Sequence, residues 1–224
     1  MNILVLNGSP KVKSDTMRLT RSFLSGITAE IPCEINVVDV IQKRVLPCLG
    51  CFGCWANGDG KCVQQDDQND ILAAYVKADV ILWSFPLYCY GMPSHLKAVL
   101  DRTIPLLKLR MTETDGRVQH ETLVDLSKKR NLVICGAGFP DWDGNFEGLR
   151  LQMKHCFSSP TLVFVPETPL LNIPEAVSVT APLLARFHRA GQEYARHQSL
   201  SPETIQELET PMLPKAAYLR GINA

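Results

Sequence analysis

Short apolar runs punctuate the chain at residues 3–6, 34–40, 80–84, 132–136 and 162–165. They read as continuous rather than alternating, the pattern of strands buried on both faces, and Ile35, Val37 and Val38 in the second are β-branched. Between the runs lie stretches with helical spacing. Residues 16–29 carry Met17, Leu19, Phe23, Leu24 and Ile27 on one side. Further helices are predicted over 67–77, 94–107, 146–157 and 176–195. A last short one starts at Ser201, with Pro202 in the first helical position, where its missing N–H does no harm.

Strand alternating with helix predicts an α/β protein, a three-layer αβα sandwich around a five-stranded parallel sheet of order 2-1-3-4-5. No repeat or linker divides it. One domain is expected over 1–197, followed by a C-terminal arm over 198–224, where Pro211 and Pro214 flank Met212 and Leu213. That arm is expected either at a subunit interface or folded on its own domain. Two connections, 41–66 and 108–130, are longer than a compact loop requires and therefore read as functional or mobile.

Composition narrows the function classes. The 23 Lys and Arg balance the 23 Asp and Glu, so the basic excess of a nucleic-acid binder is missing, as is the acidic surface of a pure electron shuttle. The N-terminus has neither a basic region nor a long apolar run, and no stretch suits a bilayer span. No nucleic-acid or membrane partner is expected, and a cytoplasmic location is. The eight cysteines then point to metal binding or redox chemistry rather than a disulfide framework.

Chemistry concentrates first at residues 7–16, Asn-Gly-Ser-Pro-Lys-Val-Lys-Ser-Asp-Thr, which leave a strand and open a helix. A helix N-terminus offers unpaired N–H groups and partial positive charge, so it holds a phosphate well. Gly8 permits a sharp turn; Ser9, Ser14 and Thr16 add hydroxyls, Lys11 adds charge, and Asp15 is expected to point outward. No triphosphate loop or dinucleotide fingerprint is present, so a monophosphate is the better fit. A second loop follows the third strand, Ser84-Phe85-Pro86-Leu87-Tyr88-Cys89-Tyr90-Gly91-Met92-Pro93. Pro86, Tyr88 and Tyr90 offer faces for a flat ring, and Gly91 lets the backbone approach it. In a sheet of this order, ligands bind between the loops after strands one and three.

The segments Leu6-Asn7-Gly8-Ser9-Pro10, Ser84-Phe85-Pro86-Leu87-Tyr88 and Met92-Pro93-Ser94-His95-Leu96-Lys97, continuing to Leu100-Asp101-Arg102, resemble the flavodoxin-like NADPH-dependent FMN reductase family over roughly residues 1–165. The resemblance implies that Ser9, Lys11, Ser14, Thr16 and Met17 surround the phosphate of FMN. It implies that Pro86, Leu87, Tyr88, Cys89, Gly91 and Met92 line the isoalloxazine, and that Gly136, Ala137 and Gly138 approach its other side. It further implies a homodimer or homotetramer whose subunits complete the pocket. The expected activity passes hydride from NADPH or NADH through FMN to a small-molecule acceptor such as a quinone, a nitro or azo compound, or free flavin. Because the flavin carries that chemistry, no catalytic side chain is expected.

Cys48, Cys51, Cys54 and Cys62 form a C-x2-C-x2-C-x7-C arrangement, compatible with an iron–sulfur cluster. It resembles the motif of the iron–sulfur flavoproteins, which hold a [4Fe-4S] cluster near FMN and would make this chain an electron carrier between proteins. Cluster-free relatives resemble the same stretch, with packed or redox-sensitive thiols, and that reading is the one preferred; zinc is a third. Asp66 and Asp67 read as caps of the following helix.

Overall fold

The computed structural model describes every residue except Asp115 and Ala224. In chain order the elements are β1 (Asn2–Asn7), α1 (Asp15–Glu30), β2 (Glu34–Asp39), α2 (Gly53–Asn57), α3 (Gln68–Lys77), β3 (Val80–Pro86), α4 (Ser94–Asp101), β4 (Leu107–Thr114), β5 (Arg117–Thr122), β6 (Arg130–Gly136), α5 (Glu147–Cys156), β7 (Thr161–Val165), α6 (Val177–His197), α7 (Pro202–Glu209) and α8 (Lys215–Ile222). Five strands form one parallel sheet of order β2-β1-β3-β6-β7, which is the expected 2-1-3-4-5 once the β4–β5 hairpin is set aside.

Successive strand side chains point to opposite faces, so each buried strand feeds two cores. Leu4, Leu6, Ile81, Trp83, Phe85, Val133 and Cys135 pack with α3, α4 and α5 through Ile71, Leu72, Leu96, Val99, Leu149 and Met153. Ile3, Val5, Val80, Leu82, Leu132 and Ile134 pack with α1 and α6 through Leu19, Phe23, Ile27, Leu183 and Phe187. The two helices on that side touch backbone to backbone. A Cβ on Gly26 would stand 1.9 Å from the His188 carbonyl oxygen, and one on Gly191 would stand 1.9 Å from that of Phe23.

Three expectations are corrected. β2 is an edge strand with most of its side chains at least partly exposed, so it is not buried on both faces. The helix expected over 94–107 stops at Asp101, and a 3-10 turn over Ile104–Leu106 follows. Pro105 accounts for this, because it lacks an amide proton and disfavours helical backbone at Ile104. The connection over 108–130 contains an antiparallel hairpin, β4–β5, rather than an unstructured loop. Its apolar residues Leu109, Met111 and Val118 are exposed.

The segment from residue 198 onward lies on its own domain. Ser201 caps α7 by accepting from the Thr204 amide at 3.2 Å. Glu209 then accepts from the Phe164 amide of edge strand β7 at 2.9 Å, covering an otherwise open sheet edge. Beyond it, the Glu167 carboxylate accepts from the amides of Met212 (2.5 Å) and Leu213 (3.0 Å), and the Tyr218 hydroxyl donates to the Gly138 carbonyl at 2.7 Å.

Candidate functional site

Strand order brings the loops after β1, β3 and β6 to one end of the sheet. The first is pinned throughout. The Gly8 amide donates to the Ser84 carbonyl at 2.8 Å, and its carbonyl meets His95 Nε2 at 2.9 Å. A Cβ on Gly8 would lie 2.6 Å from Leu96 Cδ2, so only glycine lets α4 approach this closely. Asn7 bridges outward, donating to Asp39 at 2.7 Å and accepting from the Ser9 amide at 3.0 Å. Ser14 has extended backbone and caps α1, accepting from the Met17 amide at 3.1 Å.

Ser9, Lys11, Thr16, Pro86, Leu87, Tyr88, Gly136 and Gly138 share one crevice of about 130 Å³, together with Asp15, Thr168 and Pro169. Of the other expected binding residues, Met17, Met92 and Ala137 are buried in the protein interior. Ser14 is committed to the cap and to Thr16 Oγ1 at 3.1 Å. Cys89 is exposed in a turn. Gly91 closes that turn, exchanging both backbone hydrogen bonds with Tyr88 at 3.0 Å.

Sequence reading missed Thr168, Pro169 and Asn172, which follow β7 and reach the site only through the fold. Asp15, expected to point outward, is almost fully buried instead. Its carboxylate is held by Lys11 Nζ at 3.1 Å and by the Asn172 amide, which removes the conflict with an incoming anion. Larger hollows exist, one of about 330 Å³ between residues 2–4 and α3, but it lies at the opposite end of the strands from a doubly wound sheet's ligands.

The crevice is tailored where it meets β6. A Cβ on Gly136 would fall 2.6 Å from Thr168 Cγ2 and 2.8 Å from Thr16 Cγ2. Above it, Cys89 (φ 47°) and Tyr90 (φ 61°) both occupy left-handed backbone, a two-residue turn normally built from glycine and asparagine. Each such residue stores on the order of 1–3 kcal/mol, and strain of this kind clusters at ligand clamps. The turn presents Tyr90 stacked on Phe139, ring centres 5.9 Å apart, and leaves Tyr88, Tyr90 and Phe139 substantially exposed. At about 130 Å³ the crevice is the size of a small anion rather than the ~300 Å³ of a small-molecule pocket. A flat ring would rest on that exposed aromatic rim.

Glu167 sits beneath this rim, fully buried in left-handed backbone at φ 58°. Burial pushes its carboxyl up from 4.5, against the opposing pull of the Leu213 and Met212 amides, and Oε1 has no partner among the described residues.

The cysteine loop is built differently. Cys48, Cys51, Cys54 and Cys62 line one cavity of about 30 Å³ with Phe52, Val63, Ile104, Pro105 and Arg102. Cys48 and Cys51 are exposed, Cys54 and Cys62 half-buried. Burial pushes the Cys54 thiol up; the Trp55 amide opposes this, and neighbouring Cys62 and Cys51 add to it. Phe52 holds φ 54° between Cys51 and α2, and its ring stacks on Trp55 at 5.0 Å, which in turn meets His120 of the hairpin at 4.9 Å.

Behind the cavity lies a buried ion pair. Arg102 Nη1 and Nη2 fork onto Asp66 at 2.5 and 2.9 Å, and Nη1 also donates to the Leu46 carbonyl at 3.0 Å. Asp66 therefore anchors the loop to α4 and also accepts from the Gln68 amide at the start of α3 at 3.2 Å, whereas the N-cap residue Asp67 makes no side-chain cap bond and instead accepts from the Arg44 amide at 2.8 Å. Burial opposes the Arg102 charge, but Asp66 and then Cys62 outweigh it and keep the guanidinium protonated.

Among the described residues no three His, Cys, Asp or Glu side chains converge on a single metal ion. The four thiols share the lining of one cavity, and a set of four thiolates is the donor chemistry of an iron–sulfur cluster and of a structural zinc ion alike. Beside them the buried Nε of Arg102 has no oxygen or nitrogen acceptor among the described residues, so it is available to a sulfur acceptor. Among the described residues no helix is long and apolar enough to cross a membrane.

Comparison with known proteins agrees with the architecture. An iron–sulfur flavoprotein of Methanocaldococcus jannaschii is 35% identical over 106 residues, covering 47% of this chain and 53% of that protein. An FMN-dependent NADH:quinone oxidoreductase of Pseudomonas fluorescens is 26% identical over 145 residues, covering 61% and 70%. The chain spans about half the length of the iron–sulfur flavoproteins it matches. Among solved structures, an NAD(P)H:quinone oxidoreductase from Methanothermobacter marburgensis superposes with a TM-score of 0.65 at 20% identity, covering 88% of this chain and 97% of that one. Residues 1–159 match the family model described as a flavodoxin-like fold, and with the sheet order above this establishes that the chain belongs to the flavodoxin-like fold family.

Proposed function

We propose that the protein binds FMN across the crevice at the ends of β1, β3 and β6 and works as an NAD(P)H-dependent oxidoreductase. The observation that carries this reading is the meeting of three loops and the N-terminus of α1 in one glycine-tailored crevice. When bound, FMN supplies the redox chemistry, accepting hydride from NADPH or NADH and passing electrons to a small acceptor such as a quinone, a nitro or azo compound, or free flavin.

The chain's own residues bind and orient. Amides of the first turn of α1, with the Ser9 and Thr16 hydroxyls, hold the phosphate, and the Lys11–Asp15 pair balances charge beside it. Pro86, Leu87 and Tyr88 support one side of the ring. Gly136 and Gly138 leave room on the other, and Tyr90 with Phe139 shields the rim. A second copy of the chain would cover the exposed aromatic rim, giving a homodimer or homotetramer. Binding is tested by titrating FMN and following its absorbance and fluorescence. The wild type should take up one FMN per chain and Ser9→Asp, which sets a carboxylate against the phosphate, should bind at least about tenfold more weakly. Absence of binding by the wild type overturns the reading, and steady-state NADPH and NADH oxidation then tests the activity.

A second reading is favoured by the four cysteines around one cavity and by the 35% identical iron–sulfur flavoprotein: the loop holds a [4Fe-4S] cluster and the chain also transfers electrons to a protein partner. Cys48, Cys51, Cys54 and Cys62 would be the ligands. Iron and sulfide assays on anaerobically purified protein decide it, four of each per chain supporting the cluster and none excluding it.

A further inference from the structure

Arg102 does more than its ion pair requires. It stands at the end of α4, 1% exposed, with its carbonyl fixed by Gln68 Nε2 at 2.9 Å. Its partner Asp66 is itself held by the amides of Leu46 (2.8 Å) and Gln68 (3.2 Å), so the planar guanidinium has one orientation. Nη1 and Nη2 are both engaged, while Nε, equally buried, donates to nothing among the described residues. The same side chain lines the cavity shared by the four cysteines, with Cys62 against it. A buried donor beside a thiol sulfur finds a much stronger acceptor once that sulfur is held as a metal-bound thiolate.

On the cluster reading above, we infer that Arg102 is a positioning residue for that cluster: its Nε–H donates to sulfur on the Cys62 side and raises the cluster's reduction potential. The reason is electrostatic. Reduction adds one electron and no atoms, so the reduced cluster carries more negative charge on its sulfurs. A fixed N–H dipole in a poorly solvated wall stabilises that form more than the oxidised one. The Asp66 carboxylate keeps the pair neutral overall, so the directed hydrogen bond distinguishes the two states.

The test uses the full chain, purified anaerobically and reconstituted with ferrous iron and sulfide, then titrated with dithionite at poised potentials and read by electron paramagnetic resonance. Arg102→Lys keeps the charge opposite Asp66 but removes the fork and Nε. The double variant Arg102→Gln/Asp66→Asn removes both charges together, so neither is left buried alone, and it carries the test if the lysine variant fails to fold. Far-ultraviolet circular dichroism and the bound FMN spectrum report the fold independently of the cluster. The midpoint potential should fall by at least about 59 mV, a tenfold shift in a one-electron couple. Iron release to a chelator should become about ten- to a hundredfold easier. A folded variant with a full cluster and an unchanged potential overturns the role of Arg102 and leaves the cluster reading standing. A wild type that holds no iron or sulfide after reconstitution overturns the cluster reading, and this inference with it.

Discussion

The loop between β1 and α1 and the loop between β2 and α3 leave adjacent strands at the same end of the sheet, yet they are held by opposite means. The first is short and secured largely by its own neighbours: Asn7 to Ser9, Ser9 to Lys11, Lys11 to Asp15, Ser14 to Met17. Its hydroxyls are buried before any ligand arrives, so it is preorganised for an anion. The second is long, largely exposed, and passes through left-handed backbone at Gly50, Phe52, Gly58 and Gly60. Its shape depends on partners far away in sequence, above all Arg102. Preorganisation by local contacts suits a ligand that comes and goes. A loop fastened at its rear by a buried pair and at its base by Asp66, Asp67 and Asn69, with exposed thiols between, suits a group that is built in once and completes the fold around itself.

The sharpest way to break this contrast is Arg102→Ala. It leaves the Asp66 carboxylate buried with no counter-charge, and removing one partner of a buried pair costs about 3–5 kcal/mol. Equilibrium urea unfolding should register that loss, while FMN affinity per folded chain stays within about twofold because the first loop shares no hydrogen bond with the pair. Equal damage to both properties would mean the loops are not independent. Asp66 lies below its ordinary carboxyl value of 3.8: burial raises it, but Arg102 and the Leu46 amide outweigh that. The pair's contribution is therefore present above pH 3.8 and is lost as pH falls through the depressed folded value.

Gly136→Ala strikes the other side. Its Cβ would meet the methyl groups of Thr168 and Thr16 below 3.0 Å, overpacking worth about 1–3 kcal/mol. Relief requires Thr168 or Thr16 to move, and both line the crevice, so FMN affinity should fall by at least about tenfold, measured by fluorescence titration. Ser14→Ala is milder. It removes the α1 cap at a cost of about 1 kcal/mol, seen as a lower urea midpoint, and leaves the cysteine loop's reactivity toward a thiol reagent unchanged.

What the sequence made legible follows the same division. The strands, their order and the phosphate loop depend on local pattern, so residues 7–16 and 84–91 stand out from the sequence alone. Thr168 and Asn172 do not, because they enter the site from β7, across the whole sheet. Nor does the pairing of Asp66 with Arg102, although each residue belongs to a segment with a recognisable motif: nothing local to Asp66 distinguishes an ion-pair partner from a helix cap. Within β4, apolar Leu107, Leu109 and Met111 alternate with Lys108, Arg110 and Thr112. That period of two is present in the chain, but a search for continuous apolar runs passes over it.

The smallest predicted effect concerns the tail, which ties the far side of the crevice to the rest of the chain through Glu167. Burial raises its folded-state carboxyl above the ordinary 4.5, so between pH 4.5 and that raised value the native state binds more proton than the unfolded chain. The sign follows directly: this contribution to stability is fully present below pH 4.5 and is lost as pH rises through the raised folded value. Differential scanning calorimetry in steps upward from pH 4.5 should therefore show a falling component of the melting temperature. Glu167→Gln should flatten it, because the amide oxygen can still accept from Met212 and Leu213 while carrying no charge. Glu209 is also raised by burial, so a residual slope in the Glu167→Gln protein belongs to it. If the slope is untouched by Glu167→Gln and vanishes with Glu209→Gln, the titrating carboxyl is the one at the β7 edge rather than the one beneath the crevice.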